Sequence, residues 1–563
     1  MAARVLRAGV WLLASLVAAP LLAAVRLDLG YVDTHSAEYR RFQRFVDQAA
    51  AGDPGYGFSA TDAAYMYRIS GQKTYGKLAV DMVESQVADA EAAIVAGGTP
   101  DIADDSYLGA GPMLRDLSLT YDWCGDLLTA TQKARWRAYA DRTVANVWHP
   151  YLAHWGVRPS PWTGWATDDP GNNYFYSFVQ ATMYWALASD NAQLLGMLRD
   201  HQLPMLQDYF AAFPGGGSRE GTSYGASLRT LFGLYRLWRD ATGADLANAN
   251  SHLTDTIAYW VHATVPTFDQ FAPIGDQPRV SMPVLYDYER WLMLEAHHAT
   301  HDASAAALAS WWLNRISIQR MSSGFNSRHD LLPVGDVERA PDRLVYHARG
   351  AGQLFARTSW TKDAMWLDFT AGTFDQSHGH EDQGAFTLFQ GDWLAATANI
   401  WTHSGTQRGT DVANVVRFER GGKIIPQRAP STSSMTVNLA ANGRDVRASA
   451  DLTPAYRGNP AVRSWRRDID FAGHVLTVHD TFALAADTQA VFQVNVPEQP
   501  RIDGRTVVAG HLRMTVQAPL DARIRTLSWR AVDDDYGGGW RIEVRGGGDQ
   551  FVVKFDTDLP VRD

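Results

Sequence analysis

Apolar residues recur three and four positions apart from about residue 35 to about residue 320. This spacing gathers apolar side chains on one face of an α-helix, so each such segment is predicted to be an amphipathic helix. Clusters of Gly, Pro, Asp and Asn separate the segments and predict turns. The predicted helices cover residues 36–51, 75–95, 113–128, 131–147, 174–188, 192–213, 227–242, 253–265, 286–299 and 303–316. They predict an all-α domain of helical hairpins arranged around an axis.

Beyond about residue 320 the apolar and polar residues alternate in short segments instead. Alternation with a period of two is typical of half-buried β-strands. The predicted strands cover residues 352–357, 364–369, 385–389, 462–471, 474–482, 490–496, 512–518, 540–544 and 550–555. Turn residues separate the strands and no helical crossover connects them, which favours an antiparallel β-sandwich over a parallel sheet. We therefore expect a helical domain over 25–320, a linker over 321–345 and a β domain over 346–563.

The N-terminus has the pattern of a secretory signal peptide over residues 1–24. Arg4 and Arg7 precede an apolar run over 10–22, and small residues that suit cleavage follow it. The run is too short and too rich in alanine to span a membrane comfortably, and no later stretch reaches the required length. The protein is therefore predicted to be exported to a periplasm or secreted to the medium, with no membrane span.

Composition and charge narrow the possible partners and folds. The chain has 563 residues, of which 46% are hydrophobic, so it can bury a large core. Cys124 is the one cysteine, which excludes an intrachain disulfide and a cysteine-based zinc site. A net charge of −10 argues against a nucleic-acid partner, although a local basic groove can still bind an acidic substrate. Oligomeric state stays open.

The segment 374–384 crowds two histidines, His378 and His380, with three acids and two glycines. It leads directly into the predicted strand 385–389. A rigid strand could present such a cluster to a cleft for acid/base or metal chemistry. The alternative is a polar surface turn whose histidines only form hydrogen bonds. We favour a functional site, because titratable groups are rarely crowded this tightly without use.

Two polar stretches in the helical region also stand out. The first, over 162–174, carries Trp165 and ends in Asn172, Asn173 and Tyr174 at the start of a predicted helix. One of the two asparagines is expected to cap that helix. The second, over 217–225, contains Arg219, Glu220 and Tyr224 between a glycine-rich turn and another predicted helix. Tyr224 is either a packed aromatic residue or a catalytic one.

Together the three stretches resemble the heparinase II/III-like polysaccharide lyases, a family that includes enzymes acting on alginate, heparin and glucuronan. The run 219–224 resembles the tyrosine motif of the family. His378 to Asp382, followed by 386–388, resembles the signature of its β domain. The segment 117–136 resembles one of its helix pairs, and 414–418 is a weaker match. The resemblance implies an (α/α) toroid followed by an antiparallel β-sandwich domain.

The resemblance also implies a secreted lyase that cleaves a uronate-containing acidic polysaccharide by β-elimination. The enzyme removes the C5 proton, which is α to a carboxylate, and the bond to O4 then breaks. Donors must take up the charge that develops in the transition state. Asn173 and His378 would neutralise the carboxylate, and Tyr224 would act as base and then acid, with Arg219 as a nearby cation. Substrate contacts are expected from Asn172, Tyr174, Trp165, Glu220, His380 and Arg408.

This chain departs from the family pattern at three positions. Tyr174 stands where many relatives have a histidine, so Tyr224 is the main candidate for the base. Relatives that bind zinc use the histidine at position 380 with two further ligands, which align here with Thr397 and Ala413. One histidine does not make a zinc site. We therefore expect no cofactor and no metal, although Asp382 or His403 could substitute as ligands.

Two other functions remain open at this point. A glycoside hydrolase on a similar scaffold needs two carboxylates flanking the scissile bond, which Glu220 with Asp168 or Asp169 could supply. A non-catalytic glycan-binding protein could have kept the scaffold and lost the chemistry. The particular uronate polysaccharide and endo or exo action cannot be derived from these motifs.

Overall fold

The computed structural model describes residues 24–277, 282–321 and 328–559. The predicted signal peptide, apart from Ala24, lies outside the described residues, as do residues 322–327 of the predicted linker. The last long helix ends at Leu313 and the first strand of the β domain begins at Val345. The predicted order of a helical domain followed by a β domain is confirmed.

The helical domain contains a helix in each of the ten predicted segments. Its helices are Ala37–Ala50, Ala60–Ser70, Lys73–Val95, Ala110–Trp123, Ala130–Trp148, Asn173–Ser189, Ala192–Met197, Leu203–Ala211, Leu228–Thr242, His252–Ala263, Asp287–Ala299 and Ala303–Leu313, with a short turn of helix at Asp104–Tyr107. Their apolar faces share one large core. Within the described ranges, no helix is long and apolar enough to cross a membrane.

Two differences from the predicted helices have physical causes. Helix Ala60–Ser70 was not predicted, because its first seven residues are all buried and its sequence therefore lacks a polar face. The predicted helix over 192–213 is interrupted by a π-helical turn at Leu198–Gln202. Pro204 follows this turn, and a proline ring clashes with the carbonyl four residues earlier in a regular α-helix. The wider turn is consistent with that constraint.

The described part of the β domain contains three larger antiparallel sheets and one two-stranded sheet. The first sheet has, in spatial order, Val345–Ala348, Gln353–Arg357, Trp366–Thr370, Phe386–Gln390 and Asp392–Ala395. The second has Ser434–Leu439, Val446–Asp451, Val462–Ala472, Val475–Leu484, Gln550–Thr557, Leu512–Ala518, Thr506–Ala509 and Arg501–Asp503. The third has Lys423–Ile424, Val416–Arg420, Thr488–Val496, Trp540–Arg545 and Arg523–Ser528. Two-stranded pairs join His154–Trp155 to Arg158–Pro159, and Thr373–Phe374 to Ser431–Thr432.

The first sheet joins the two domains, and its three central strands are buried on both faces. Along strand Gln353–Arg357, Phe355 packs into the helical core, whereas Leu354 and Ala356 pack into the β core. Such alternation follows from the two-residue period of a strand. Arg357 donates to the carbonyls of His262 at 3.0 Å and Thr264 at 2.7 Å, which fixes the sheet against a helix end. The domains are therefore held in a defined relation around the loops that follow.

Candidate active site between the helical and β domains

Asp276, from the segment between helices His252–Ala263 and Asp287–Ala299, lies at the centre of the interdomain site. Its carboxylate accepts hydrogen bonds from His378 Nδ1 at 2.9 Å and from His380 Nε2 at 2.9 Å. Arg408 donates from Nε at 2.8 Å and also from Nη2. Burial alone disfavours the carboxylate, yet the hydrogen bonds from the two histidines and Arg408 lower the pKa of Asp276 below its ordinary value. Asp276 is therefore ionised at neutral pH.

The ionised carboxylate determines the tautomers of the histidines. A carboxylate can only accept, so the imidazole nitrogen that faces it must carry a hydrogen. We therefore assign the Nδ1–H form to His378, whose side chain is 15% exposed. That tautomer leaves Nε2 of His378 for contacts outside the cluster.

Tyr224 lies against His378 in the same site. Their ring centroids are 3.6 Å apart and the ring planes differ by 13°, so the rings are stacked. Tyr224 begins a short helical turn, Tyr224–Ser227, that leads into helix Leu228–Thr242. The structure thus brings together the predicted base of the helical domain and the predicted histidine of the β domain.

Close backbone contacts hold the three loops of this site together. The N–H of Asp276 donates to the carbonyl of His378 at 3.0 Å, and the N–H of Thr222 donates to the carbonyl of Ile274 at 3.0 Å. Gly275 has φ +73°, and a Cβ there would lie 2.8 Å from the His378 carbonyl oxygen. At Gly221, with φ +87°, a Cβ would lie 2.1 Å from the Ile274 oxygen. Only glycine permits both the positive φ and the close approach.

The two asparagines have different roles. Asn172 caps helix Asn173–Ser189, because its side chain accepts from the N–H of Tyr174 at 3.1 Å. Its Nδ2 also donates to Gln376 Oε1 at 3.3 Å, which links the cap to the β domain. The side-chain oxygen of Asn173 is buried and has no hydrogen-bond partner among the described residues. The amide of Asn173 is therefore the one available for a ligand.

Tyr174 is held as a protonated phenol. Its hydroxyl donates to Asp105 at 2.8 Å. Burial and that hydrogen bond raise the pKa of Tyr174 above its ordinary value. A phenol whose ionisation is opposed in this way is a poor general base. This environment argues against Tyr174 as a second base.

Glu220 is buried inside the fold, and Arg219 is paired with a carboxylate. Glu220 is 0% exposed, and burial raises the pKa of its carboxyl well above the ordinary value, an effect that the N–H of Asn173 only partly offsets. Arg219 pairs with Asp375 at 3.1 Å and lies over the Phe213 ring at 5.2 Å. The charge of Arg219 is thus paired with a carboxylate across the domain interface.

The remaining predicted contacts differ in exposure. Trp165 is 47% exposed in the loop before helix Asn173–Ser189. The Arg408 side chain is 45% exposed, so part of it can meet a ligand although it also bonds Asp276. His380 is 4% exposed, and its contact with Asp276 makes it a structural support of the site.

The positions expected for zinc carry no ligand set. Thr397 donates its hydroxyl to the Val412 carbonyl at 3.2 Å, and Ala413 is buried without a donor atom. Burial raises the pKa of Asp382 to about 6, and His403 is exposed. In the part of the chain that the structure describes, no group of three His, Cys, Asp or Glu side chains could hold a metal ion. These side chains do not fit a zinc site.

Asp276 is the site residue that sequence reasoning missed. It stands alone in Ile274-Gly275-Asp276-Gln277, within a stretch that has neither a helical nor a strand period. The Gly-Asp pair after a short apolar run was the only local signal, and it predicts no more than a turn.

Comparisons with known proteins bear on the fold. No protein-family model and no curated protein matches the sequence. The heparan sulfate lyase HepC from Pedobacter heparinus matches in structure at 12% identity and a TM-score of 0.58, over 96% of this chain and 87% of that chain. A heparinase III structure matches at 14% identity and a TM-score of 0.57, over 94% of this chain and 79% of that chain. The chain has the fold of these lyases.

A chondroitin AC lyase shares this lyase fold as well. The enzyme from Streptomyces coelicolor A3, solved in complex with chondroitin sulphate, is 11% identical with a TM-score of 0.55, over 94% of this chain and 80% of that chain. These matches confirm the expected fold of this chain, a helical toroid followed by an antiparallel β domain. The likeness is one of architecture, and the roles of Tyr224, His378 and Asn173 remain predictions.

Proposed function

We propose that the protein is an exported polysaccharide lyase that cleaves a uronate-containing acidic polysaccharide by β-elimination. The observation that carries this proposal is the stacking of Tyr224 on His378 at 3.6 Å, beside the ionised Asp276. It pairs a phenol that can move a proton with an imidazole whose orientation is fixed. The signal-peptide pattern at the N-terminus supports export, and the lyase fold supports an acidic polysaccharide as substrate.

The proposed chemistry begins with recognition of the uronate carboxylate. The C5 proton is weakly acidic while that carboxylate is fully charged, so donors must hold the charge that moves onto it. Nδ2 of Asn173 is one such donor and Nε2 of His378, when protonated, is the other. Asp276 accepts the hydrogen bond from His378 Nδ1 and so fixes the orientation of the imidazole.

Tyr224 then carries the proton in two stages. As a phenolate it removes the C5 proton, and electrons move to form the C4–C5 double bond as the bond from C4 to O4 breaks. The same hydroxyl gives its proton to the departing O4, which returns Tyr224 to the phenolate. One residue can serve as base and acid because both transfers occur on neighbouring atoms of one sugar. No group outside the chain is required for the proton balance.

The alternative hydrolase mechanism has weaker support. It would use Glu220 with Asp168 or Asp169 on either side of the scissile bond. Glu220 has no exposed surface, and the backbone N–H of Asn173 interacts with its carboxyl. A carboxyl that no sugar can reach cannot act as acid or nucleophile. This observation favours elimination over hydrolysis.

The test is a panel of uronate polysaccharides: alginate, glucuronan, heparan sulfate and chondroitin sulfate. Elimination creates a conjugated double bond, so we expect ultraviolet absorbance to rise with cleavage of at least one chain. The appearance of new reducing ends without absorbance would replace the lyase with a hydrolase. Binding of a chain without cleavage by the wild-type protein would support a non-catalytic glycan-binding protein instead.

A further inference from the structure

A polar cavity of about 500 Å³ lies in the helical domain next to the proposed active site. Asn173 lines it, so the cavity and the site share this residue. Three arginines, Arg115, Arg229 and Arg328, also line it, although the protein as a whole is acidic. Asp62 and Asp116 line it too, so its attraction for an anionic ligand depends on which of the three guanidinium groups these carboxyls leave unpaired.

The three arginines differ in whether their charge is already paired. Arg328 forms an ion pair with Asp62. Arg115 donates to Thr61 at 3.2 Å and lies 3.7 Å from Asp116. Both guanidinium groups therefore have partners inside the fold.

Among the described residues, Arg229 is the arginine of this cavity that forms no ion pair, whereas Arg115 and Arg328 each lie within 4.0 Å of a carboxylate. Its guanidinium lies over the rings of Tyr288 at 5.0 Å and Trp291 at 5.2 Å, which fixes its plane. Its Nε is buried, and among residues 24–277, 282–321 and 328–559 it has no hydrogen-bond partner. Burial lowers the pKa of Arg229, and the electrostatic effects of Tyr288, Glu289 and Asp287 only partly offset this. A buried guanidinium without an anion is unfavourable, so an anionic ligand would satisfy it.

Asn173 adds an unsatisfied acceptor to the same cavity. Its Oδ1 is buried without a partner, as described above. A sugar hydroxyl could donate to that oxygen while an acidic group of the sugar pairs with Arg229. Trp291, also in the lining, offers an apolar ring to the sugar. The cavity is therefore complementary to a sugar that carries both an anion and hydroxyl groups.

We propose that this cavity is a subsite for a sugar unit whose anionic substituent, a carboxylate or a sulfate ester, pairs with Arg229 while a hydroxyl donates to Asn173 Oδ1. The proposal rests on the proposed function, because the bound unit belongs to the acidic chain that is cleaved next to it. Arg229 would bind this unit without taking part in proton transfer. Its loss should therefore weaken substrate binding far more than it slows turnover.

The experiment measures binding by calorimetry in a Tyr224→Phe background, in which the chain is not consumed. An unsulfated glucuronan oligosaccharide and a chondroitin sulfate oligosaccharide serve as probes. We expect Arg229→Gln to raise the dissociation constant of at least one probe about tenfold, which corresponds to about 1.4 kcal/mol. The dissociation constant for Arg229→Lys should lie between those of the parent and of Arg229→Gln, because an ammonium keeps the charge but lacks the planar pair of donors of a guanidinium. Arg420→Gln, which removes a surface arginine paired with Asp487, is the matched control and should change nothing.

The outcomes separate the ligand chemistries and the two proposals. Weaker binding of the unsulfated probe assigns the carboxylate, and weaker binding of the sulfated probe alone assigns the sulfate ester. Equal affinities with and without Arg229, in variants that melt like the parent, would overturn the subsite, as would failure of both probes to bind the Tyr224→Phe protein. Should Arg229→Gln not fold, unchanged affinity in Arg229→Lys overturns it. If binding of a probe depends on Arg229 but the wild-type protein cleaves neither probe nor its parent chain, the subsite is kept and the lyase is rejected.

Discussion

Replacing Asp276 with asparagine would test the centre of the site. The carboxylate accepts four hydrogen bonds, one from His378, one from His380 and two from Arg408. Asparagine keeps the shape but presents an NH₂ group in place of one oxygen, so the Arg408 N–H at that oxygen would face a donor, whereas the histidine there can change to its other tautomer. At about 1.5 kcal/mol for the lost charge-assisted bond, the low end of the usual range, the free energy of unfolding should fall by about 1.5 kcal/mol. The low end applies because water can reach Arg408.

The same substitution should impair turnover through His378. The side-chain NH₂ of asparagine would favour a proton-free Nδ1, so Nε2 would carry the hydrogen and the imidazolium would lose its carboxylate. We expect kcat to fall about 100-fold, the usual effect of losing a positioned acid/base group. Activity follows from absorbance of the unsaturated product, and stability from denaturant unfolding followed by tryptophan fluorescence.

The pH dependence gives a second measurement on the Asp276→Asn variant. The pKa of Asp276 lies below its ordinary value, so its ionisation stabilises the fold above about pH 3.9. That contribution is lost as the pH falls further through the folded-state pKa. The stability difference between wild type and variant should therefore narrow below about pH 4.

The control for Asp276→Asn is Asp487→Asn, at a carboxylate that is 65% exposed and paired with Arg420. An exposed pair of this kind contributes less than about 1 kcal/mol. Equal stability losses in the two variants, or an Asp276→Asn enzyme with wild-type kcat, would refute the central role of Asp276.

Three further predictions concern residues around the site. Glu220→Gln should match or exceed the wild-type melting temperature at pH 8. The pKa of Glu220 is raised in the folded protein, so the wild type loses stability as the pH rises from about 4.3 through the folded-state pKa. Retained activity of this variant would also argue against a hydrolase, whereas lost activity with normal folding would support one. Tyr174→Phe should lower the free energy of unfolding by about 1 kcal/mol and leave kcat within severalfold of wild type, because only the hydrogen bond to Asp105 is lost. A much larger fall in kcat would make Tyr174 a catalytic residue. Cys124 is 0% exposed, and burial raises the pKa of its thiol to about 12. Iodoacetamide should therefore label it only after unfolding, which mass spectrometry would show. Rapid labelling of the folded protein would contradict its burial.

Helix Ala37–Ala50 could be predicted because only one of its faces is buried. Its buried positions recur three and four residues apart, with exposed positions between them. Helix Ala60–Ser70 is buried on nearly all sides over its first two turns, so it has no such period to detect. In the same way, no local pattern anticipates the π-helical turn at Leu198–Gln202, which depends on how the chain enters Pro204.

The candidate site was predictable where its residues belong to polar motifs. Tyr224 and His378 stand in such motifs, and their contact across two domains follows from the resemblance rather than from spacing. Asp276 and Arg229 could not be found in this way. Asp276 gains its role only in the folded protein, where it contacts a β-domain loop that is distant in sequence. Arg229 lies in the amphipathic helix Leu228–Thr242, where an arginine ordinarily faces solvent.

The most direct test of the proposed elimination is mass spectrometry of products formed in heavy-oxygen water. Hydrolysis places an oxygen from water on the new reducing end, whereas elimination adds none. From the uronate chain that the wild-type protein cleaves, we predict products without heavy oxygen, one of them with an unsaturated uronate and one water lighter than the hydrolysis product. The Tyr224→Phe variant should form almost none of the unsaturated product. Heavy oxygen in the wild-type products, or undiminished elimination by the variant, would contradict the account.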